Sequence, residues 1–414
     1  MYRVLILLAA WLPLLPGTAQ THLQEYREQV LGHSRQLEAA RAHSRVTGER
    51  QLLSRTDFLP RLSLAGDFSC ALREESELKP WSFALQPEII ATLYKGGGVR
   101  AAYREAMLNH AIAREQELDT ELSIRYAADY TYWNLSAMAE YRAAMAEYVR
   151  IIRSLKEIID RRFSEGYIAK GDVLMIEARL STAEYELLMA EENFEEALHN
   201  FNILRGTPSD RPVELGESIF DPQPRPERKS LDQTLDNRPD YQTSRLRTAA
   251  AQNAITIARA GYNPRLEVGV RGSWHPESPN RTGATQIDGA LFARLSVPIF
   301  GWGARRHSTG AARATALEVE WQQSELMEQI LREERNGWSA VVESQARVES
   351  VGESLRIAGE NLDLGTYSYS EGLTTILDVL QAQLNWIQIY TNVITAHFNY
   401  AIACSEYRRI IAEP

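Results

Sequence analysis

The chain contains an internal duplication, and this feature limits its possible folds more than any other. The segment FSEGYIAKGDVL (Phe163–Leu174) matches YSEGLTTILDVL (Tyr369–Leu380) without gaps at a spacing of 206 residues. Pro60-Arg61-Leu62 pairs in the same way with Pro264-Arg265-Leu266 at a spacing of 204 residues. Chance similarity between helical segments would not keep separate landmarks in one order at nearly one offset. The two halves of the chain therefore share one structural plan.

Each half contains a predicted β-hairpin, because short segments alternate apolar and polar residues with the period of a strand. The predicted strands cover about residues 57–73 and 81–94 in the first half and 264–275 and 286–299 in the second. The polar turn segments EESELKP and PESPNRTGAT join the strands of each pair. Strands of roughly ten residues can cross a bilayer when they are tilted. A soluble sheet with one wet face shows the same alternation, so the pattern alone leaves both interpretations open.

A very long helix is predicted after each hairpin. No proline occurs between Val99 and Phe163, and apolar residues recur there at every third or fourth position. Such a helix would be roughly 100 Å long at about 1.5 Å per residue. It cannot bury its apolar stripe within a small domain, so it needs long neighbouring helices, as in a coiled coil.

The predicted organisation has two repeats. The first repeat covers residues 20–206, the second covers 231–414, and a proline-rich linker at 207–230 separates them. Asp236-Asn237-Arg238-Pro239-Asp240 is expected to open a helix, with Asn or Asp as its cap and proline in its first turn. The predicted long, return and opening helices cover about residues 98–163, 167–205, 237–261, 304–367 and 373–412.

The first nineteen residues have the pattern of a cleavable export signal. They combine a positive charge at Arg3, an apolar core from Val4 to Leu15 and the small residues Gly17-Thr18-Ala19. A membrane anchor that stays attached is the less favoured alternative, because the core is short and prolines interrupt its end. The mature chain is therefore expected to begin near Gln20 and to lie outside the cytoplasm.

Composition and motifs argue against several functional classes. The 414 residues include 45 Lys and Arg against 55 Asp and Glu, with a formal net charge of -10 and no basic block, which disfavours nucleic acid as a partner. The eight histidines and two cysteines lack metal-ligand spacing, and no nucleotide-binding or nucleophile motif occurs. An enzyme, a metal centre and a cofactor are therefore not expected. Cys70 and Cys404 are predicted not to form a disulfide.

Four strands cannot cross a membrane alone. Unpaired backbone groups that face lipid cost roughly several kcal/mol each, so a spanning sheet must close on itself. Spanning barrels need about eight strands or more. If these hairpins cross a membrane, several copies of the chain must share one barrel, and three copies would supply twelve strands. The expected assembly is then a tube with a strand wall at one end and a helix wall at the other.

Three segments of the second half resemble motifs of the TolC-like outer-membrane efflux protein family. They are NRPDYQTSRLRTAAAQNAITIARAGYNPRLEV, LSVPIFGWGARR and YSEGLTTILDVLQAQLNWIQIY, and weaker copies occur in the first half. The resemblance covers essentially the whole mature chain. It implies a mainly α membrane protein with a duplicated long-helix α-barrel, an equatorial belt near the linker, and two β-hairpins per chain that join a 12-stranded trimeric transmembrane β-barrel.

The same resemblance implies a function and partners. The homotrimer would lie in outer-membrane lipid, extend into the periplasm, and serve as a passive exit duct for small-molecule efflux or type I protein secretion. Its partners would be a periplasmic adaptor protein and an inner-membrane transporter that supplies the energy. The alternative is a periplasmic coiled-coil adaptor or scaffold protein without a transmembrane barrel, in which the strands form a soluble sheet.

The resemblance also places residues at the periplasmic tip. The turns after the two long helices would form the closed tip and the adaptor contact, which involves Glu165, Gly166, Glu371, Gly372, Leu373 and Thr374. At the least, each glycine is expected to supply the positive φ that a tight helix–helix turn requires.

Three further residues are expected at the pore constriction: Asp378, its counterpart Asp172, and Tyr369. In the family an aspartate at the position of Asp378 faces the pore, where threefold symmetry makes a ring of carboxylates that favours cations. An aspartate in a first helical turn also stabilises the helix N-terminus, and simple packing would explain Tyr369. The residue at the position of Gln381 is often acidic in the best-known family member. A glutamine there predicts a weaker selectivity ring.

Two tryptophans are candidates for a membrane-interface belt. Trp81 and Trp274 lie near predicted strand ends, where an aromatic belt would place them at the lipid headgroups. Packing beneath a loop is the alternative interpretation.

Overall fold

A computed structural model describes residues 20–70, 81–275 and 286–413 of the chain. The predicted export signal at 1–19 and both predicted hairpin turns, at 74–80 and 276–285, lie outside the described residues.

The described elements follow one order twice. In the first half they are α1 (Leu23–His33), α2 (Arg35–Thr56), β1 (Arg61–Cys70), β2 (Trp81–Lys95), α3 (Gly98–Ser164) and α4 (Lys170–Leu204). In the second half they are α5 (Leu231–Asn237), α6 (Pro239–Ala260), β3 (Arg265–His275), β4 (Gln286–Ser296), α7 (Ala304–Ser370) and α8 (Ile376–Ile410). Among the described helices, none combines the length and apolar character of a transmembrane helix.

The duplication is a structural repeat. Helices α3 and α7 both have 67 residues, and α4 and α8 both have 35 residues. The bounds of each pair differ by 206 residues at both ends. Helices α2 and α6 both have 22 residues and differ by 204. These are the two offsets that the sequence landmarks show, so the second hairpin region is two residues longer than the first.

Two helix starts differ from the expectations. The chain before the first hairpin forms two helices, because Ser34 is extended and its hydroxyl accepts a hydrogen bond from the Leu37 N–H (3.2 Å), as a helix cap does. The predicted Asn or Asp cap of α6 is wrong: Asn237 ends α5, and Arg238 occupies the cap position before Pro239. The Arg238 guanidinium is held instead by the Asp240 carboxylate (2.6 and 2.9 Å).

The described chain forms two compact units, each containing segments from both repeats. The first comprises the described residues up to Leu37, Glu121–Thr234, and those from Arg332 onward. The second comprises Glu38–Thr120 and Leu235–Leu331, apart from the two undescribed turns. The repeats are therefore related by sequence and geometry without each being a separate compact body.

The core of the first unit has the spacing of a coiled coil. The buried residues of α4 at Ile176, Ala183, Ala190 and Ala197 recur every seven positions. A seven-residue apolar repeat is typical of helices that supercoil left-handedly with a neighbour. Three of the four are alanines, and small side chains on this seam allow the neighbouring helix to approach closely. The helices α3, α7 and α8 complete the cluster with Met145, Tyr148, Ile152, Leu155, Ile159, Tyr369, Val379, Ile387 and Ile394.

The second unit contains the sheet. Its strands are antiparallel and follow the order β1-β2-β3-β4, so the two hairpins of the chain lie side by side. The pair in the middle joins the first repeat to the second, because β2 pairs with β3. Within the described residues, β1 and β4 each pair on one side only.

Neither cysteine forms a disulfide, as the sequence predicted. Cys70 is exposed on β1 in the second unit, whereas Cys404 is buried on α8 in the first. Burial raises the pKa of the Cys404 thiol, so it remains protonated and behaves as an apolar core group.

The linker is tied to the start of the described chain. Thr21 and Leu215 form a parallel bridge, with hydrogen bonds from the Thr21 N–H to the Glu214 carbonyl and from the Gly216 N–H to the Thr21 carbonyl, both at 2.9 Å. The carboxylate of Glu217 accepts hydrogen bonds from the Leu23 N–H (3.0 Å) and from the hydroxyl of Tyr132 on α3. Glu217 thus connects three separate segments of the first unit.

The charge of Glu217 is stabilised in the folded chain. Burial alone would raise the pKa of its carboxyl, but hydrogen bonds from Tyr132, Leu23 and His22 outweigh burial and leave the pKa lowered. A carboxyl whose pKa is lower in the folded state contributes stability above its unfolded pKa, and that contribution is lost as the pH falls through the folded value.

We therefore predict that Glu217→Gln lowers the thermal midpoint at pH 7, whereas Glu227→Gln on the exposed linker leaves it unchanged. Acidification below the ordinary carboxyl pKa of 4.5 should destabilise the wild-type chain more than the Glu217→Gln variant, because the variant has already lost this contribution. Thermal melts followed by circular dichroism between pH 7 and 3 measure both effects. Equal pH dependence in the two proteins would contradict the assignment.

Candidate functional site

The sheet has one wholly apolar face. In the β1–β2 register Leu62 lies opposite Ile89 and Phe68 opposite Phe83, and cross-strand partners share a face. The β2–β3 and β3–β4 registers continue the same face, so the apolar residues of all four strands align. Its larger members with described side chains are Leu62, Leu64, Phe68, Phe83, Leu85, Ile89, Leu266, Val268, Val270, Trp274, Ile287, Leu291 and Leu295.

Much of this apolar face is exposed. The exposed fraction is 71% for Leu62, 70% for Phe68, 80% for Ile287 and 83% for Leu291. A contiguous exposed apolar surface of this kind marks a membrane or protein contact in a folded protein. The face therefore needs a covering that the described residues do not provide.

The opposite face of the sheet is polar. The Arg271 guanidinium on β3 donates to the Glu88 carboxylate on β2 at 2.9 and 2.5 Å, and Arg265 pairs with Glu267 on β3. Ile90 and Phe292 are large apolar exceptions on this face. The Phe292 ring is the clearer case. It lies over Gly269, where a Cβ atom would come within 2.6 Å of the ring. One face is thus suited to lipid and the other to water.

Of the two candidate interface tryptophans, the structure describes the side chain of one. Trp274 lies on the apolar face opposite Ile287, is 37% exposed, and meets the Phe83 ring edge-on at 6.3 Å. Trp81 lies opposite Cys70 at the start of β2, and its side chain lies outside the described residues. The interface role of both residues stays a prediction.

The turns between long and return helices have the same geometry in both repeats. Gly166 and Gly372 have φ values of 82° and 79°. The N–H of Tyr167 bonds to the Arg162 carbonyl (2.9 Å), and the N–H of Leu373 bonds to the Ser368 carbonyl (2.8 Å). With the shorter-range bonds made by the glycine N–H groups, these are Schellman motifs, in which glycine follows the helix in the left-handed conformation.

The two turns meet in the first unit through one arginine. Arg162 at the end of α3 donates to the Tyr369 carbonyl at the end of α7, and its guanidinium also lies over the Tyr369 ring at 5.1 Å. A Cβ atom on Gly372 would lie 3.2 Å from the same guanidinium. No sequence pattern points to Arg162, because the second repeat carries Ser368 at the equivalent position.

Most of the predicted docking residues are accessible. Glu165, Gly166, Glu371 and Gly372 are exposed, Leu373 is 77% exposed, and Thr374 is half-buried. A neighbouring aromatic residue, Tyr167, is 73% exposed at the first turn. An accessible pair of turns with exposed apolar side chains is chemically suited to bind another protein.

Asp378 caps a helix. Its carboxylate accepts hydrogen bonds from the hydroxyls of Thr375 and Thr374, both at 2.7 Å, and from the Thr375 N–H at 3.1 Å. These three bonds lower the pKa of the Asp378 carboxyl, with the Thr375 hydroxyl as the largest cause. The side chain is exposed, so it stays charged at neutral pH and remains accessible to a second contact.

Tyr369 is packed rather than exposed. Only 3% of it is exposed, and its hydroxyl has no hydrogen-bond partner among the described residues. Burial raises the pKa of the phenol, and the nearby charge of Asp172 raises it further. Within one chain Tyr369 therefore holds the tip by packing and by its contact with Arg162. Asp172, at the start of α4, is close enough to act on Tyr369 but has no capping threonines like those of Asp378.

No cluster of three or more potential metal ligands occurs among the residues that the structure describes. The candidate sites are therefore surfaces: the apolar sheet face with its open edges, and the paired helical turns.

Comparison with known proteins identifies a family. The family model for outer membrane efflux protein matches residues 26–206 and 230–411. The pyoverdine export outer membrane protein OpmQ of Pseudomonas aeruginosa is 24% identical over 298 residues, covering 69% of this chain and 60% of OpmQ. The chain thus spans less than two thirds of that relative. The outer membrane protein TolC of Escherichia coli K12 is 21% identical over 402 residues, covering 93% of this chain and 80% of TolC.

Structural comparison confirms the predicted fold class. The crystal structure of the outer membrane protein VceC from Vibrio cholerae superposes with a TM-score of 0.80 at 21% identity, covering 94% of this chain and 95% of VceC. The chain has the TolC-like fold of long duplicated helices with two hairpins. The family and its structural neighbours are channel proteins, not enzymes.

We predict opposite effects for alanine at two glycines of α7 and its turn. Gly372→Ala should lower the stability of the turn by about 1–2 kcal/mol, because a side chain at positive φ is strained. Gly352→Ala inside α7, where nothing lies within 4 Å, should raise helix stability by up to about 1 kcal/mol. Thermal melts and hydrogen exchange of residues 365–375 measure the changes. If hydrogen exchange were not faster in either variant, the role of Gly372 in the turn would be contradicted.

Proposed function

Because the chain belongs to the outer membrane efflux protein family, whose members lie in the outer membrane and extend into the periplasm, we propose that it is a passive exit duct. Three copies close a twelve-stranded barrel in the outer membrane, and their duplicated helices form a helical tube on the periplasmic side. The duct performs no chemistry of its own, and a transporter imposes the direction of flow.

The open apolar sheet is the observation that carries this proposal. Each copy contributes four strands with one exposed apolar face and one polar face. The edges of β1 and β4 would leave unpaired backbone groups in lipid, each costing roughly several kcal/mol. Pairing β4 of one copy with β1 of the next removes both edges, and three copies give a barrel above the minimum of about eight strands. The polar face then lines a water-filled interior.

The partners follow from the family and the tips. We propose that the turns at Gly166 and Gly372, with the exposed side chains beside them, bind a periplasmic adaptor that joins the duct to an inner-membrane transporter. OpmQ is named for pyoverdine export and supports export as the general activity. The cargo of this chain is proposed only as a class, small molecules or type I secreted protein, because the duct accepts what its transporter delivers.

The constriction is proposed at Asp378, Asp172 and Tyr369. The exposed and ionised Asp378 supplies a carboxylate that threefold symmetry would repeat into a ring. Asp378 can cap the helix and also contribute to the ring, because the capping hydrogen bonds hold its carboxylate in place without burying it. Tyr369 and Asp172 act behind the ring, where they position the tip of α7 against α4.

The alternative is a periplasmic scaffold with a soluble sheet. Such a protein would have to cover the apolar face or tolerate it in water, and side chains such as Leu291 and Ile287 are at least 80% exposed here. The exposed apolar face therefore favours the duct.

We predict that Leu291→Arg on the apolar face blocks assembly in the outer membrane, because an arginine near the bilayer midplane costs about 2–4 kcal/mol per copy. Asp288→Arg, on the polar face of the same strand and opposite Ser273, should assemble normally. Membrane fractionation and gel mobility of unheated samples report the trimer. If both variants were released as soluble periplasmic protein like the wild type, the scaffold would be correct and the duct wrong.

A second prediction separates the two roles of Asp378. Asp378→Asn keeps an oxygen for the Thr375 N–H but removes the charge, so the start of α8 should become less stable and block by divalent cations should weaken. Glu227→Gln serves as a charge-matched control on the exposed linker. Single-channel recording in planar bilayers measures the block. If Asp378→Asn left block and conductance unchanged, Asp378 would not line the pore.

A further inference from the structure

The junction between the two repeats inside one chain is a template for the contact between chains. Within the chain, β2 of the first repeat pairs with β3 of the second. In a closed ring of copies, β4 of one copy must pair with β1 of the next. This junction again joins the second strand of one hairpin to the first strand of another. The register of that interface rests on the proposed trimer and goes beyond it.

The repeat offsets convert one junction into the other. Residues of β2 map onto β4 and its extension by adding 206, the offset of the following helices α3 and α7. Residues of β3 map onto β1 by subtracting 204, the offset of the preceding helices α6 and α2. Both mappings keep apolar residues on the apolar face: Ile89 becomes Leu295, and Val270 becomes Gly66. The β2–β3 register can therefore be transferred residue by residue.

We propose that β4 of one copy pairs with β1 of the next in the register that places Arg294 opposite Asp67. The same register places Leu295 opposite Gly66 and Leu291 opposite Cys70, because Glu88, Ile89 and Leu85 lie opposite Arg271, Val270 and Trp274 within the chain.

Charge complementarity is independent support for this register. Within the chain, Glu88 on β2 binds Arg271 on β3. The transferred pair is Arg294 with Asp67, so an acid–base contact recurs with its signs exchanged. Asp67 is the only acidic residue of β1, and Arg294 is the only basic residue of β4. Both are exposed on the polar face of the isolated chain.

A shift of the register loses this match. Moving β4 by two residues, the smallest step that keeps the apolar face, would place Arg294 opposite Ala65 or Ser69. Asp67 and Arg294 would then both lie at the interface, but neither would be opposite the other. A shift by one residue would turn the apolar side chains of one strand into the polar interior. Only the proposed register joins the two charges and keeps both faces continuous.

The end of β4 fits the same junction. β2 continues to Lys95, whereas β4 ends at Ser296. β4 is therefore shorter at this end, although the 206-residue offset gives the two strands equivalent positions before the helices that follow them. Val297, Ile299 and Phe300 beyond this end are 48%, 93% and 74% exposed. The register assigns Val297 to Leu64 and Phe300 to Leu62 of the next copy, as Ala91 and Tyr94 pair with Val268 and Leu266. β4 should therefore lengthen when the copies assemble.

Pro298 and Trp302 mark where the two junctions differ. Pro298 maps onto Thr92, next to the register shift of β2, a place where proline is tolerated in a sheet. Trp302 maps onto Gly96 and keeps a positive φ of 49°, which strains a non-glycine residue. Its side chain is 89% exposed and faces the place where Leu59, itself 64% exposed, should lie in the next copy.

Gly96 explains why the second junction must be wider. A Cβ atom on Gly96 would lie 2.4 Å from the Cβ of Asn263 and 2.6 Å from the Ala260 carbonyl. The equivalents of these residues in the next copy are Leu59 and Thr56. Trp302 cannot approach them as closely as glycine does, so the indole should fill a wider gap there and cover the exposed Leu59.

Paired cysteines test the register. In a Cys70→Ser background, Asp67→Cys with Arg294→Cys should give covalent trimers when membranes are oxidised and run without reductant. Within one chain these positions lie on opposite edges of the sheet, three strand spacings or roughly 14 Å apart, too far for a disulfide. The control is Asp67→Cys with Ser296→Cys, which lies on the same face two residues further along.

The outcomes separate this proposal from the trimer itself. Cross-linking of the 67–294 pair above the 67–296 pair supports the register. A heat-sensitive trimer that cross-links through 67–296, or through neither pair, overturns the register and leaves the duct standing. Absence of any trimer in the Cys70→Ser background overturns the proposed function.

Charge exchange tests the ion pair without a disulfide. Asp67→Arg should lower the fraction of trimer that survives mild heating, because two arginines then face each other. Asp67→Arg with Arg294→Asp should restore that fraction. If the double variant dissociated as readily as the single variant, the two residues would not be paired and the proposed register would fail.

Discussion

The whole structure depends on a sheet that one chain cannot complete. Its four strands leave two backbone edges open and expose an apolar face, and no described element covers either. Backbone groups are satisfied in lipid only when a sheet closes, and in the proposed duct the missing neighbours are strands of other copies. The family places these proteins in the outer membrane, where such closure is obligatory.

The duplication allows this closure with one type of strand junction. The offsets of 204 and 206 residues relate strands, long helices and turns in the two halves, so in the proposed trimer one junction geometry serves inside a chain and between chains. The heptad spacing of Ile176, Ala183, Ala190 and Ala197 gives α4 one continuous seam of buried residues, which is the pattern of a helix packed along a long neighbour. The two repeats have nevertheless diverged at residues for which a role is proposed. Asp378 has capping threonines that Asp172 lacks, and Trp302 replaces Gly96.

Patterns of short period were readable from the sequence, and contacts between distant residues were not. Alternation located the strands, proline-free periodicity located α3, and the glycines at 166 and 372 have the positive φ expected of them. The helix break at Ser34 and the cap at Arg238 were missed although their contacts are local: the Ser34 hydroxyl accepts from the Leu37 N–H, and the Asp240 carboxylate binds the Arg238 guanidinium. Arg162 at the tip could not be predicted, because its partner Tyr369 is 207 residues away and the second repeat does not repeat it.

Hydrogen exchange of the backbone in membrane-embedded protein shows whether strands of other copies complete the sheet. If copies complete the sheet, amides of β1 and β4 should exchange as slowly as those of β2 and β3, because every strand then has two neighbours. Slow exchange confined to the two central strands, with rapid exchange along β1 and β4 in the membrane, would contradict the account.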